Sequence, residues 1–183
     1  MTDVSPASLQ RMRRISIAVQ LMAYAGMALL LVGPAVIWAQ PDLVRSLVVP
    51  QLGLGHRPVA LDREALVGGF LAGLTSAAFY AYALWLTARL FGAFGRGDVF
   101  SPENVDRLRW LGWTLVAATA ATPAARALQT AALTLGNPEG HRFVVVQIEP
   151  STLAALLGGG VVVGFASVLR EANRIADENR QFV

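Results

Sequence analysis

Apolar residues in this chain fall into blocks too long for the core helices of a soluble domain. Four blocks stand out. They are Ile15–Trp38, Leu66–Phe94, Trp110–Leu135 and Leu153–Leu169. Arg89 is the only charge in the second and Arg126 the only charge in the third. A run of roughly 18 apolar residues reads as a membrane span, because a helix rises 1.5 Å per residue and the hydrocarbon core is about 30 Å thick. In lipid every backbone group must be paired internally, so a span is either a helix or a barrel strand. These runs lack the alternation of barrel strands. The pattern predicts an all-α integral membrane protein. It is a four-transmembrane-helix bundle, with residues 1–183 forming one membrane domain, a connector at 95–109 and a cytoplasmic helical extension at 170–183.

Composition agrees with this pattern. Of 183 residues, 55% are hydrophobic and 15% charged, against about 25% charged in a typical soluble domain. Mean hydropathy is +0.51. There is no cysteine, which excludes disulfides, thiolate catalysis and cysteine metal sites. The first block is longer than the apolar core of a signal peptide, about 7–15 residues, and is expected to stay in the mature chain.

All 15 basic residues are arginine, and their placement orients the helices. Arg11, Arg13 and Arg14 precede the first block. Arg89, Arg96, Arg107 and Arg109 lie around the connector, and Arg170, Arg174 and Arg180 lie in the tail. Arg45, Arg57, Arg63 and Arg142 fall in the two other loops. Positive charge is retained in short cytoplasmic loops, so both termini and the connector are expected in the cytoplasm.

Within the connector, "FSPENVDRLRW" reads as a helix start. Ser101 is a natural N-cap, Pro102 suits the first helical position, and Glu103 complements the helix dipole. Arg107, Arg109, Trp110 and Trp113 are expected at the water boundary. Asp98 and Asn104 remain as contact residues. The tail continues the fourth block without a Gly or Pro break, and Glu171 and Arg174 share one face. Together Asp98, Ser101, Glu103, Asp106, Arg107, Arg109, Arg170, Arg174, Glu178 and Asn179 form a candidate cytoplasmic contact surface. Asp98, Glu103 and Asp106 on one segment complement Arg170, Arg174 and Arg180 on the other.

These two segments carry a family resemblance. Phe100, Ser101, Leu108, Arg109, Leu111 and Gly112 in "LFGAFGRGDVFSPENVDRLRWLGW", with Glu178, Asn179, Phe182 and Val183 in the tail, resemble an uncharacterised bacterial membrane family, domain of unknown function 2975. Arg180-Gln181 stand where its members usually carry Asp-Leu-Thr. The resemblance implies a four-span fold and a bacterial inner membrane location. It also implies a regulatory partnership, since members are often encoded beside small helix-turn-helix transcription regulators.

Two features lie inside the spans. Arg126 is costly at membrane depth. Either it lines a polar cavity or the span shifts inward and Arg126 snorkels to the outer headgroups. Gln129 is its nearest polar neighbour in sequence. Gly69 and Gly73, and Gly160 and Gly164, have the GxxxG spacing of close helix contacts. That spacing serves packing within one bundle or a homodimer.

The outer loops hold two β-prone runs, Leu47–Val49 and Phe143–Ile148, expected to pair as a small extracytoplasmic β element. They also hold the two histidines, His56 and His141. Even with Asp62, Glu139 or Glu149 nearby, these lack the fixed spacing of a metal site, and no metal or cofactor is expected. No catalytic constellation is apparent, so neither enzyme activity nor direct nucleic-acid binding is expected. The expected partners are the lipid bilayer, a cytoplasmic protein and a second copy. The leading reading is a membrane regulator. A small transporter or channel subunit and a purely structural subunit are the alternatives.

Overall fold

The computed structural model describes residues 6–55 and 57–181. Four long helices carry most of the chain: α1 (Pro6–Trp38), α4 (Arg63–Phe94), α5 (Pro102–Thr134) and α6 (Pro150–Gln181). Between α1 and α4, two single turns, α2 (Pro41–Leu43) and α3 (Val49–Gln51), flank a π-helical stretch at Val44–Val48.

Three of these helices, α1, α4 and α6, are long and apolar enough to cross a membrane. Their large apolar side chains point outward: Leu29 is 73% exposed, Leu157 71% and Val168 68%. Burying apolar surface is worth about 25 cal/mol per Å² in water, so leaving this much unburied suits a lipid surround. These helices mark a multi-pass membrane protein. α5 is as long but less apolar. It carries buried Asn104, Thr114, Thr119, Thr130 and Thr134. Residues that face protein need not be lipophilic, which accounts for the lower hydropathy of a helix this long.

The chain forms two compact units. One comprises the described residues up to Met27, then Ala81–Val116 and those from Ala154 onward. In it α5 and α6 approach closely. A Cβ added at Gly112 would stand 2.9 Å from the Val163 backbone nitrogen, and one at Gly159 would stand 2.8 Å from Val116 Cγ2. α4 ends because Gly97 adopts φ 85°, which lets the Asp98 N–H return to the Ala93 carbonyl at 3.1 Å, a glycine helix stop. α5 then starts on Ser101, whose carbonyl accepts from the Val105 N–H at 3.1 Å and whose hydroxyl accepts from the Asn104 N–H at 3.4 Å.

The other unit comprises Ala28–Tyr80 and Ala117–Leu153. Its core is made by the segment between α1 and α4 folding back on the helices. Trp38, Val44, Val49, Leu52, Leu54, Ala65 and Leu133 are buried together. The Ala60 N–H donates to the Leu133 carbonyl at 2.8 Å, and Asn137 donates to the Pro58 carbonyl at 2.7 Å. Asp62 caps α4 by accepting from the Ala65 N–H at 2.8 Å. The Trp38 ring lies directly on the backbone at Gly69, where a Cβ would stand 2.2 Å from Trp38 Cη2.

The expected β element is corrected: no strand occurs among the described residues. Leu47 and Val48 wind into the π-helical stretch, and Val49 opens α3. Phe143–Ile148 is irregular, and threonines of α5 take the place of a partner strand. The Phe143 N–H donates to Thr134 Oγ1 at 3.1 Å and the Val145 N–H to Thr130 Oγ1 at 3.0 Å. The Thr134 hydroxyl lies 2.9 Å from the Phe143 carbonyl. A buried amide needs some partner, and a hydroxyl serves as well as a ladder carbonyl. His56, Phe182 and Val183 lie outside the described residues.

Gly69 and Gly160 are predicted to differ sharply on substitution. Gly69→Ala drives a methyl into the Trp38 ring and should destabilise by about 1–3 kcal/mol. Gly160 has nothing within 4 Å of an added Cβ, and Gly160→Ala should be neutral or stabilise by up to about 1 kcal/mol. Thermal unfolding of the two detergent-purified variants checks the contrast. Equal melting temperatures would contradict it.

Candidate functional site

Two groups of polar side chains stand out against the apolar helices. The first joins the connector to the end of α6. Asp106, on the first turns of α5, forms an ion pair with Arg170 of α6. Three residues on, Asn173 donates its amide to the Phe100 carbonyl at 2.8 Å. These contacts link the chain before α5 to successive turns of α6.

Neighbouring residues pair within their own segment. Arg107 pairs with Glu103 and donates to Asn104 Oδ1 at 2.6 Å. Asn104 is buried and donates to the Asp98 carbonyl at 2.7 Å. It is therefore a structural strut rather than a contact residue, and the polar side chain it needs is satisfied locally. Arg174 does not reach the connector: it bridges Glu171 and Glu178 on its own helix. Its position between two carboxylates at helical spacing explains the preference. Arg109 lines a cavity of about 300 Å³ with Trp113, Val163, Ser167, Arg170 and Glu171, and it has no ion-pair partner among the described residues. Asp98 and Ser101 shape the turn that opens α5. Asn179 continues α6, and its side chain lies outside the described ones.

The second group surrounds Arg126. Arg126 forms an ion pair at 2.5 Å with Glu149, the residue just before α6. Glu149 Oε2 also accepts the Ser151 hydroxyl at 3.1 Å. The Arg126 hydrogen bond, then that of Ser151, holds the Glu149 carboxyl below the usual carboxylate range. One turn of α5 further on, Gln129 donates to the Gly69 carbonyl at 3.3 Å. The missing side chain at Gly73 makes room for that amide, since a Cβ there would stand 2.6 Å from Gln129 Nε2. Arg126, Gln129, Thr122 and Ser76 line a cavity of about 200 Å³ whose other walls include Trp38 and Phe70. Tyr80 adds a hydroxyl 3.5 Å from that of Thr122.

Gly69 and Gly73 thus lie against Trp38 and Gln129, whereas Gly160 and Gly164 have nothing within 4 Å of an added Cβ. The glycines of α6 and α5 in close contact are Gly159 and Gly112. Sequence spacing alone did not show Glu149 as the Arg126 partner, because 23 residues separate them. Asn173 and Trp38 were missed as well, since neither carries a distinguishing motif.

A family model described as "Protein of unknown function (DUF2975)" matches residues 17–181, almost the whole chain, so the chain belongs to that family. No curated protein and no solved structure matches it.

The pairing at Glu149 generates a pH prediction. Its folded-state pKa is lowered, so its contribution to stability is present above the ordinary carboxylate pKa and is lost as pH falls through the folded value. Melting temperature measured between about pH 7 and about pH 3 should therefore fall less steeply in Glu149→Gln than in the wild type. The effect is small because the Glu149 side chain is half exposed. Parallel profiles would show that the pair does not couple to folding.

Proposed function

We propose that this member of the DUF2975 family is a four-span helix bundle of the bacterial inner membrane, with both termini in the cytoplasm. It acts as a regulatory subunit that holds a soluble protein, such as a small helix-turn-helix regulator, at its connector and α6 tail. Taking α5 as the fourth span is supported by its 33 residues. At 1.5 Å each they reach about 50 Å, beyond the roughly 30 Å of hydrocarbon. It also collects ten of the 15 arginines on one face of the membrane, where a three-span arrangement would scatter them.

The observation that carries the regulatory reading is the Asp106–Arg170 pair, together with Asn173 on the Phe100 carbonyl. It makes one surface from two segments far apart in sequence. Both side chains of the ion pair are about half exposed. Exposed pairs contribute only about 0–1 kcal/mol, so a partner with better charge complementarity can displace this one. Arg109, without an ion-pair partner among the described residues, and exposed Trp110, 62% accessible, lie beside it and enlarge the surface available to a protein. α6 runs unbroken from apolar turns into this charged segment, so a shift of its apolar part would move the surface with it.

Topology is tested with a cysteine at Phe100, which is 65% exposed in a chain that has no native cysteine. Phe100→Cys should resist an impermeant maleimide added outside intact cells and react in inverted vesicles. Labelling in intact cells would overturn the orientation.

The partner is tested by capture from solubilised native membranes. Asp106→Arg and Arg170→Asp should each reduce recovery of a specific cytoplasmic protein by about two- to fivefold, and the double exchange, which restores the internal pair but reverses both charges offered to the partner, should not restore it. Recovery of nothing beyond background with the wild type would sink the regulatory reading.

A further inference from the structure

Arg126 has more hydrogen-bonding capacity than its one partner uses. A guanidinium carries five N–H donors. One of them meets Glu149, and the others have no partner among the described residues. Arg126 itself lines a cavity of about 200 Å³, together with Gln129, Thr122 and Ser76. Its lining also includes the apolar side chains of Trp38, Phe70, Pro34 and Leu74. A few polar groups among apolar and aromatic side chains are the usual make-up of a small-molecule site, where the polar groups orient a ligand and the apolar lining buries it.

We propose that this cavity binds a small monocarboxylate with a flat apolar body, and that the ligand's carboxylate displaces that of Glu149 from Arg126. Three observations select this class. A carboxylate already occupies the guanidinium, so the geometry for an oxyanion is in place, and a planar fork suits it bidentately. The volume sets the size: at about 30 Å³ per water, it holds roughly the bulk of six or seven waters. That suits a benzoate- or hexanoate-sized molecule and excludes the acyl chains of a phospholipid. Trp38 and Phe70 are among the lining residues and Glu149 is not, so the cavity offers aromatic contacts that the existing ion pair does not use.

Displacement is close to neutral on charge. One anion replaces another at Arg126, so the guanidinium is never left bare. Glu149 is half exposed and already accepts from Ser151, so it moves into water with a second partner in place. A ligand that meets Arg126 and also buries apolar surface gains what Glu149 alone does not. The inference stands on this cavity and needs no cytoplasmic partner.

The test uses the purified full chain in detergent, with benzoate as the probe and neutral benzamide as its isostere. Binding is read by calorimetry and by the shift in melting temperature. Benzoate should bind and raise the melting temperature, and benzamide should do neither. Glu149→Gln removes the internal competitor and should lower the benzoate Kd by about two- to fivefold. Arg126→Gln should raise it by about tenfold or more. Ser76→Leu fills the cavity without touching the ion pair, so it should also abolish binding and remains informative if Arg126→Gln fails to fold.

A short-chain phosphatidylglycerol, dihexanoyl and monomeric, distinguishes a lipid headgroup from a free carboxylate. Stabilisation by that lipid alone would overturn the proposal, as would failure of benzoate to bind the wild type. Benzoate binding unchanged in Ser76→Leu, or no tighter in Glu149→Gln, would also overturn it.

Discussion

A backbone amide or carbonyl removed from water without a partner costs several kcal/mol, and most of this structure answers to that constraint. The apolar helices α1, α4 and α6, of 32 or 33 residues, pair their own backbones along the lengths able to meet lipid. The difficulty moves to the places where helices stop. There the chain recruits side chains rather than sheet. Ser101 serves the start of α5, Asp62 the start of α4, Asn104 the turn at Asp98, and Asn137 the segments at Pro58 and His141. Buried polar side chains in an apolar protein are therefore not anomalies. No buried side-chain nitrogen or oxygen among the described residues lacks a partner.

What could be read from sequence follows from how local each determinant is. The apolar runs of α1, α4 and α6 needed only hydropathy and length. The start of α5 was legible because a cap is made by residues three or four apart, as Ser101 and Asn104 are. Determinants that join distant residues were not legible. Glu149 meets Arg126 only after the intervening chain has folded. The run at Phe143–Ile148 looked strand-like because its partners, Thr130 and Thr134, sit on a helix and give no β signal. GxxxG spacing located two glycine pairs but carries no information on which way they face. Gly69 and Gly73 meet side chains, and Gly160 and Gly164 meet none. At the tail, charge complementarity named the right two segments. The pairing within it went to Arg170, because Arg174 has two carboxylates of its own helix within reach.

The two polar groups differ in kind. At the connector, the ionic contacts are half exposed and individually weak, which suits exchange between partners in water. Around Arg126, a cavity of about 200 Å³ is lined by that arginine with Trp38 and Phe70 among others, which suits selection by shape. Each unit of the chain thus carries one feature that packing alone does not require.

The hydroxyls of Thr130 and Thr134 have a consequence for how variation in this chain should be read. By hydropathy, replacing threonine with valine in a membrane helix is an improvement: the shape is kept and a polar atom is lost. At position 130 the same exchange would strip the partly buried Val145 amide of its acceptor and leave a methyl group beside it. A helix scored one residue at a time would look better suited to lipid, while the segment resting on it came loose. In this protein the polarity of α5 belongs in part to the loop it supports, and a sequence change there is felt first in residues that are not themselves altered.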